Sequence, residues 1–397
     1  MLIKRRDFLQ FGSLATASMM LPKFLKAFEQ PMMAPAGNKV LVILQLSGGN
    51  DGLNTVIPFR NDIYYSSRPH LGIEKDKALP LSDEVALHPA LGGLKDLYDD
   101  GNLAILNAVG YPNPDRSHFR SMDIWQTASD SKSYLNTGWL GRYLDAQCQG
   151  CDKPTQALEI DDVLSLALKG DQIKGIALKD PRRLHDNSHQ NYFKDLLSGH
   201  SPGSQPVDYL YKMMAETLSA ADYIFDQSQL RPSSAQYPDT ELGKNFHTIA
   251  SLILSDINTK VYYVSLGSFD THVNQQPQQQ RLFSEMNDAI KAFVTDLKSN
   301  HRFQDVLLMT FSEFGRRVSQ NASGGTDHGT ANNMFLISGG LKEKGLLNPL
   351  PDLNQLDEGD LKYQVDFKNV YGTVLRNWLN TDDFKILGRH SDYLKFI

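Results

Sequence analysis

The sequence is short of several things, and each shortage narrows what the chain can be. Its 397 residues include only two cysteines, Cys148 and Cys151, in Cys-Gln-Gly-Cys. No second pair completes a zinc ribbon, and two thiols cannot frame a disulfide-built scaffold. A lone C-x-x-C leaves a redox pair, half a metal site or a short loop disulfide, and an oxidising compartment favours the last. Positive charge is also scarce: 40 basic residues face 46 acidic ones, a net charge of −6. Such a chain has no electrostatic footprint for nucleic acid or anionic lipid. The apolar stretch Phe11 to Leu21 is too short to span a bilayer comfortably, and no later run is longer. No stable membrane span is expected. The Gly-rich turn at 47–52 lacks the G-x-G-x-x-G spacing of a dinucleotide site. There are no internal repeats.

The chain opens with Lys4-Arg5-Arg6-Asp7-Phe8-Leu9, a weakly apolar stretch and Ala34-Pro35-Ala36. Paired arginines, an apolar middle and a small-x-small exit, in that order, read as a twin-arginine export signal over residues 1–36. The competing reading is an amphipathic helix that stays attached. The export reading implies a bacterial cell, the twin-arginine translocase as partner, and a mature protein working in the periplasm or outside the cell. About 360 residues remain, enough for one large α/β domain over 37–397 with an insertion, or for two domains.

Buried-strand runs are Val40 to Leu46, Leu103 to Val109, 260–266, 305–311 and 333–338. Helical patterns separate them at 88–100, 117–128, 241–256, 278–299 and 368–379. This alternation predicts a parallel, helix-covered sheet. Residues 150–235 differ in composition, with short β-like pieces, a polar His/Asn/Gln stretch holding His185 and His189, and a long helical run at 206–229. They read as an insertion or cap over the main sheet, with both histidines solvated, or with a ligand role if the cap closes over the site.

Acids and histidines follow three of the strand runs: Asp51, then Asp270 with His272, then Glu313 and Asp327-His328. Strand carboxyl ends converge on one crevice in open α/β sheets, and ligands bind there. Oxygen ligands mixed with imidazole suit one or two divalent ions, zinc, manganese, calcium or magnesium. Each group has a plainer reading. Asp270-Thr271-His272 is also an Asx-turn. Glu313 is also a partner for Arg316 or Arg317, and Asp327-His328 also a polar turn between glycines. Ser117 sits where an N-cap belongs.

Taken in order, strand–Asp–His–helix–strand–acid–loop–His–strand resembles the metal core of the alkaline phosphatase superfamily. The twin-arginine start with Ser-Gly-Gly-Asn-Asp-Gly-Leu-Asn, Arg-Ser-His-Phe-Arg, Phe-Asp-Thr-His, Ser-Glu-Phe-Gly-Arg and Thr-Asp-His-Gly resembles the domain-of-unknown-function family 1501, usually placed in that superfamily. The resemblance implies a three-layer sandwich with a mostly parallel central sheet and an inserted cap region, and an exported metal-dependent hydrolase acting on phosphate or sulfate esters. It makes Ser117 the nucleophile, gives substrate oxygens to His118 and Arg120, a first metal to Asp270, His272 and His328, and a second to Asp51 and Glu313. Phe314 stands where the pattern has a histidine, which implies either a weaker second metal or Asp327 as the missing ligand. The formylglycine signature of many sulfatases is absent. The alternative from another class is a degenerate, non-catalytic binding protein at the cell surface.

Overall fold

The computed structural model describes residues 39–147, 154–191 and 205–397. The twin-arginine segment and Cys148 and Cys151 lie outside the described residues. Twelve strands are present among them: β1 Val40–Leu46, β2 Val56–Ile57, β3 Leu79–Pro80, β4 Ala86–Leu87, β5 Leu103–Gly110, β6 Ala157–Glu159, β7 Ile176–Ala177, β8 Val261–Leu266, β9 Val306–Phe311, β10 Asn332–Ile337, β11 Gly345–Leu346 and β12 Val365–Asp366. Nine form one sheet in the order β11-β5-β10-β9-β1-β8-β6-β7, with β12 also on β5. A small sheet, β2-β4-β3, stands apart.

β1 sits at the centre and is wholly buried, pairing parallel with β8 on one side and β9 on the other. Its side chains alternate between two cores. Val42, Leu44 and Leu46 meet the helices Glu241–Leu254 and Gln275–Ser299 on one face. Leu41 and Ile43 meet the helices His118–Thr127, Trp139–Gln147 and Phe367–Thr373 on the other. A sheet covered on both faces must be apolar on both, which is why these strands read as continuous runs. Trp125 stacks at 4.2 Å on Phe367, and Trp139 at 4.2 Å on Tyr371, closing the second layer. The result is a mixed α/β, three-layer architecture. No helix of the described residues is long and apolar enough to cross a membrane.

The central sheet is mostly parallel, as expected; β10 is the exception, antiparallel to both β9 and β5. Two expectations are corrected. Residues 157–177 do not cap the sheet: β6 pairs parallel with β8 and β7 with β6, extending its edge. The helix expected at 88–100 begins at Gly92 instead. His88 closes a turn before it, donating its backbone N–H to Thr55 and accepting Ala90 N–H at Nδ1.

Glu159, at the end of β6, is 3% exposed and accepts the Ser165 N–H at 2.6 Å. Burial pushes its carboxyl up to about 7. A carboxyl raised above its unfolded value favours the fold fully below pH 4.5, and that contribution is lost as pH rises through about 7. The loss is on the order of 3 kcal/mol. Glu159→Gln is therefore expected to stabilise the protein at pH 8 and to have little effect at pH 5. Thermal melts of both proteins at the two pH values measure the difference.

Candidate metal centre

The carboxyl ends of β1, β8 and β9 all open on one edge of the sheet. Because β10 runs the other way, the loop that enters it, with Asp327 and His328, reaches the same edge. The carboxyl end of β5 arrives there too and leads through Arg116 and Ser117 into the helix His118–Thr127. Ser121 pins that helix to the end of β9, its hydroxyl donating to the Glu313 carbonyl.

Four side chains converge. Asp270 Oδ1 lies 3.1 Å from His272 Nε2 and 3.3 Å from His328 Nε2. Asp270 Oδ2 lies 3.5 Å from His118 Nε2. The two imidazole Nε2 atoms of His272 and His328 are only 2.9 Å apart. The far nitrogen of each ring is held by an oxygen. His118 Nδ1 donates to Glu313 at 2.9 Å, His328 Nδ1 to the Arg116 carbonyl at 2.8 Å, and His272 Nδ1 to Asp327 at 3.3 Å. A carbonyl or carboxylate cannot donate, so the protons of the neutral rings sit on Nδ1 and the Nε2 lone pairs face inward. His118 Nε2 is shut off from solvent and has no hydrogen-bond partner.

Charge and burial sharpen this. Burial raises the Asp270 carboxyl, but the Arg316 hydrogen bond and charge, with His328 and His272, outweigh it and hold it below the usual range. Burial pulls His328 down, and Arg316 adds to this, so the ring resists protonation. His118 moves the other way, raised chiefly by its hydrogen bond to Glu313. Inward imidazole nitrogens around one carboxylate are donors of the kind that suit a divalent ion. His118, Asp270 and His328 each offer an atom within 4.8 Å of the others. The orphaned His118 Nε2 is what an ion would satisfy, so the residues fit the group.

Several sequence-level assignments change. His118 joins the cluster of donors. Glu313, 1% exposed, turns its Oε1 to His118 and to the Gly48 N–H at 2.8 Å, orienting a ligand ring instead of facing the centre. Asp327 holds His272 in the same way. Phe314 walls the site, its ring 4.8 Å from His118 and 4.7 Å from His328. Arg120 is not free for substrate, since its Nη2 donates to the carbonyls of Asp130, Ser131 and Ser133. Asp51 is not free for a second metal. Its Oδ1 caps the short helix Gly52–Thr55, and its Oδ2 takes Arg68 Nη1 at 2.6 Å and Gln275. Ser117 is exposed at the start of its helix, but its hydroxyl makes no N-cap bond. Arg316 and Arg68 were missed as site residues, because the acids they serve lie 46 and 17 positions away.

The Asp51–Arg68 pair is buried on both sides, with side chains 1% and 0% exposed. Asp51→Asn leaves an uncompensated buried guanidinium. It should cost about 3–5 kcal/mol of stability and leave the metal stoichiometry at the wild-type value. Urea unfolding and elemental analysis of the two proteins read these separately, and a fall in stoichiometry would return Asp51 to the ligand set.

A comparison with curated proteins finds no match. Among solved structures the chain is similar to a protein in the alkaline phosphatase superfamily from Vibrio parahaemolyticus, at 13% identity and TM-score 0.34, over 79% of this chain and 67% of that one. It is similar to the PsFucS1 sulfatase from Pseudoalteromonas sp., at 12% identity and TM-score 0.36, over 85% and 67%. It is also similar to a phosphonate monoester hydrolase from Silicibacter pomeroyi, at 9% identity and TM-score 0.39, over 90% and 78%. Overlaps this loose say nothing of activity. The sequence itself is more specific: the family model described as "Protein of unknown function (DUF1501)" matches residues 106–377, which hold every donor of the centre, and the chain belongs to that family.

Proposed function

We propose that the protein is an exported hydrolase of phosphate or sulfate esters that works with one divalent ion at the strand edge. The observation that carries this is the pair of inward Nε2 atoms, 2.9 Å apart, beside a carboxylate held in its charged form. His118, Asp270 and His328 would hold the ion, with His272 against them. A divalent ion there supplies Lewis-acid polarisation of an ester oxygen and lowers the pKa of an oxygen nucleophile.

The chain's own residues do the rest. Ser117 stands at the N-terminus of the helix His118–Thr127 with its hydroxyl unspent on capping. In this reading its Oγ bonds to phosphorus or sulfur as the bond to the ester oxygen breaks, and the Ser117 hydroxyl proton leaves on the departing alcohol. Water then hydrolyses the serine ester, releasing the anion and restoring Ser117. The first N–H groups of that helix and its dipole favour the anion. Glu313 keeps His118 turned inward throughout. Residues 1–36 would direct the folded protein to the twin-arginine translocase, so that the enzyme meets its anionic substrate outside the cytoplasm.

One observation favours a second reading. Arg68 occupies Asp51, so among the described residues this edge keeps donors for one ion where the sequence pattern implied two. A one-ion centre also fits a non-catalytic protein that binds an anionic group at the cell surface. Ser117→Ala separates the two. Hydrolysis predicts at least a 100-fold loss in kcat, roughly 3 kcal/mol of barrier, on aryl phosphate or sulfate esters, with metal content unchanged. Metal-loaded wild-type protein that turns over no phosphate, phosphonate or sulfate ester supports the binding reading and rejects the hydrolase.

A further inference from the structure

A second set of donors gathers far along the chain, on two helices that pack together. The helix Pro181–Ser188 starts from Asp180, whose side chain caps it, and from Pro181 at its first position. His185 and His189 are four residues apart and so share a face. Their rings lie 4.1 Å apart. The facing helix, Gln205–Leu230, brings Asp222 against both. Ala220 and Ile224 of that helix are buried in the main core, which fixes Asp222 in place.

The rings are oriented as ligands are. His185 Nδ1 donates to Asp186 at 3.4 Å, and His189 Nδ1 to the His185 carbonyl at 3.0 Å. Phe225 stacks on His185 at 4.3 Å. Each Nε2 is thereby turned to Asp222 Oδ1, at 3.9 Å and 3.6 Å. These separations are too long for hydrogen bonds. They approach the edge of a tetrahedron about 3.4 Å long that bonds of about 2.0–2.1 Å produce. Asp222 Oδ1 is shut off from solvent and has no hydrogen-bond partner, although half of its side chain is exposed. A shielded carboxylate oxygen with nothing to bind calls for an ion.

We propose that His185, His189 and Asp222 form a second divalent-metal site, which takes a first-row transition ion such as zinc and pins the helix Pro181–Ser188 to the helix Gln205–Leu230. Two imidazoles and a carboxylate suit zinc over calcium or magnesium. Three protein ligands leave one position open to solvent. The site does not depend on the strand-edge centre, whose donors it does not share.

The test uses the whole chain carrying Asp270→Ala and His328→Ala, which removes two of the four donors of the strand edge, its only carboxylate among them. Zinc is titrated in competition with a chromophoric chelator, and cobalt absorption reports the geometry. One equivalent is expected, with affinity lowered on the order of tenfold by Asp222→Asn and further by His189→Gln. If the double variant does not fold, the same Asp222→Asn change in the otherwise unaltered chain should weaken one zinc equivalent by the same order in the chelator competition. An absence of zinc uptake by the folded double variant overturns the proposal. So does affinity or stoichiometry indifferent to Asp222→Asn, which would mean a bare histidine pair.

Discussion

The strand edge depends on one buried guanidinium. Arg316, 1% exposed, donates to the carbonyls of Gly48, Gly49, Phe269 and Thr326 and to Asp270 at 2.7 Å. These acceptors belong to the loops after β1, after β8 and before β10, so one side chain ties three separate segments together. Burying a charge costs several kcal/mol, which only complete pairing offsets. Here all three nitrogens of the fork have takers, a geometry that lysine cannot reproduce. The loop must come close enough to be tied, which explains Gly48 and Gly49. Both have positive φ, and a Cβ would lie 2.4 Å from the Asp270 nitrogen at the first and 2.3 Å from the Phe314 ring at the second.

From that tie the rest of the centre follows in order. Arg316 keeps Asp270 charged and aimed, and Asp270 gives the imidazoles a common focus. An outer set of oxygens, from Glu313, Asp327 and the Arg116 carbonyl, then fixes which nitrogen of each ring faces in. Such outer partners govern a site nearly as much as its ligands do. At Asp51 the positive charge comes from the chain itself, through Arg68. Both arginines therefore shape the centre without belonging to its donor set.

Much of this fold was legible because buried parallel strands leave continuous apolar runs, and β1, β5, β8 and β9 all did. Direction is not written in such a run, so the sheet could be read as mostly parallel without showing that β10 is the strand that reverses. Asp270, His272 and His328 could be grouped because each follows or precedes a core strand closely. Partnership across long separations could not be read. Glu313 and His118 are 195 residues apart, and nothing in either neighbourhood announces the other. Arg120 looked free because backbone carbonyls, which bind it, leave no sequence signal. His185 and His189 read as solvated because Asp222 lies on another helix.

The central claim is that His118, Asp270 and His328 bind one divalent ion. Elemental analysis of the purified chain carrying His185→Ala and His189→Ala, alone and with Asp270→Ala or His328→Ala added, tests it most directly. The account predicts one equivalent of zinc, manganese or another divalent metal in the first protein and its loss in both of the others. A parent that takes up no metal on reconstitution, or one equivalent retained in both added variants, would contradict it.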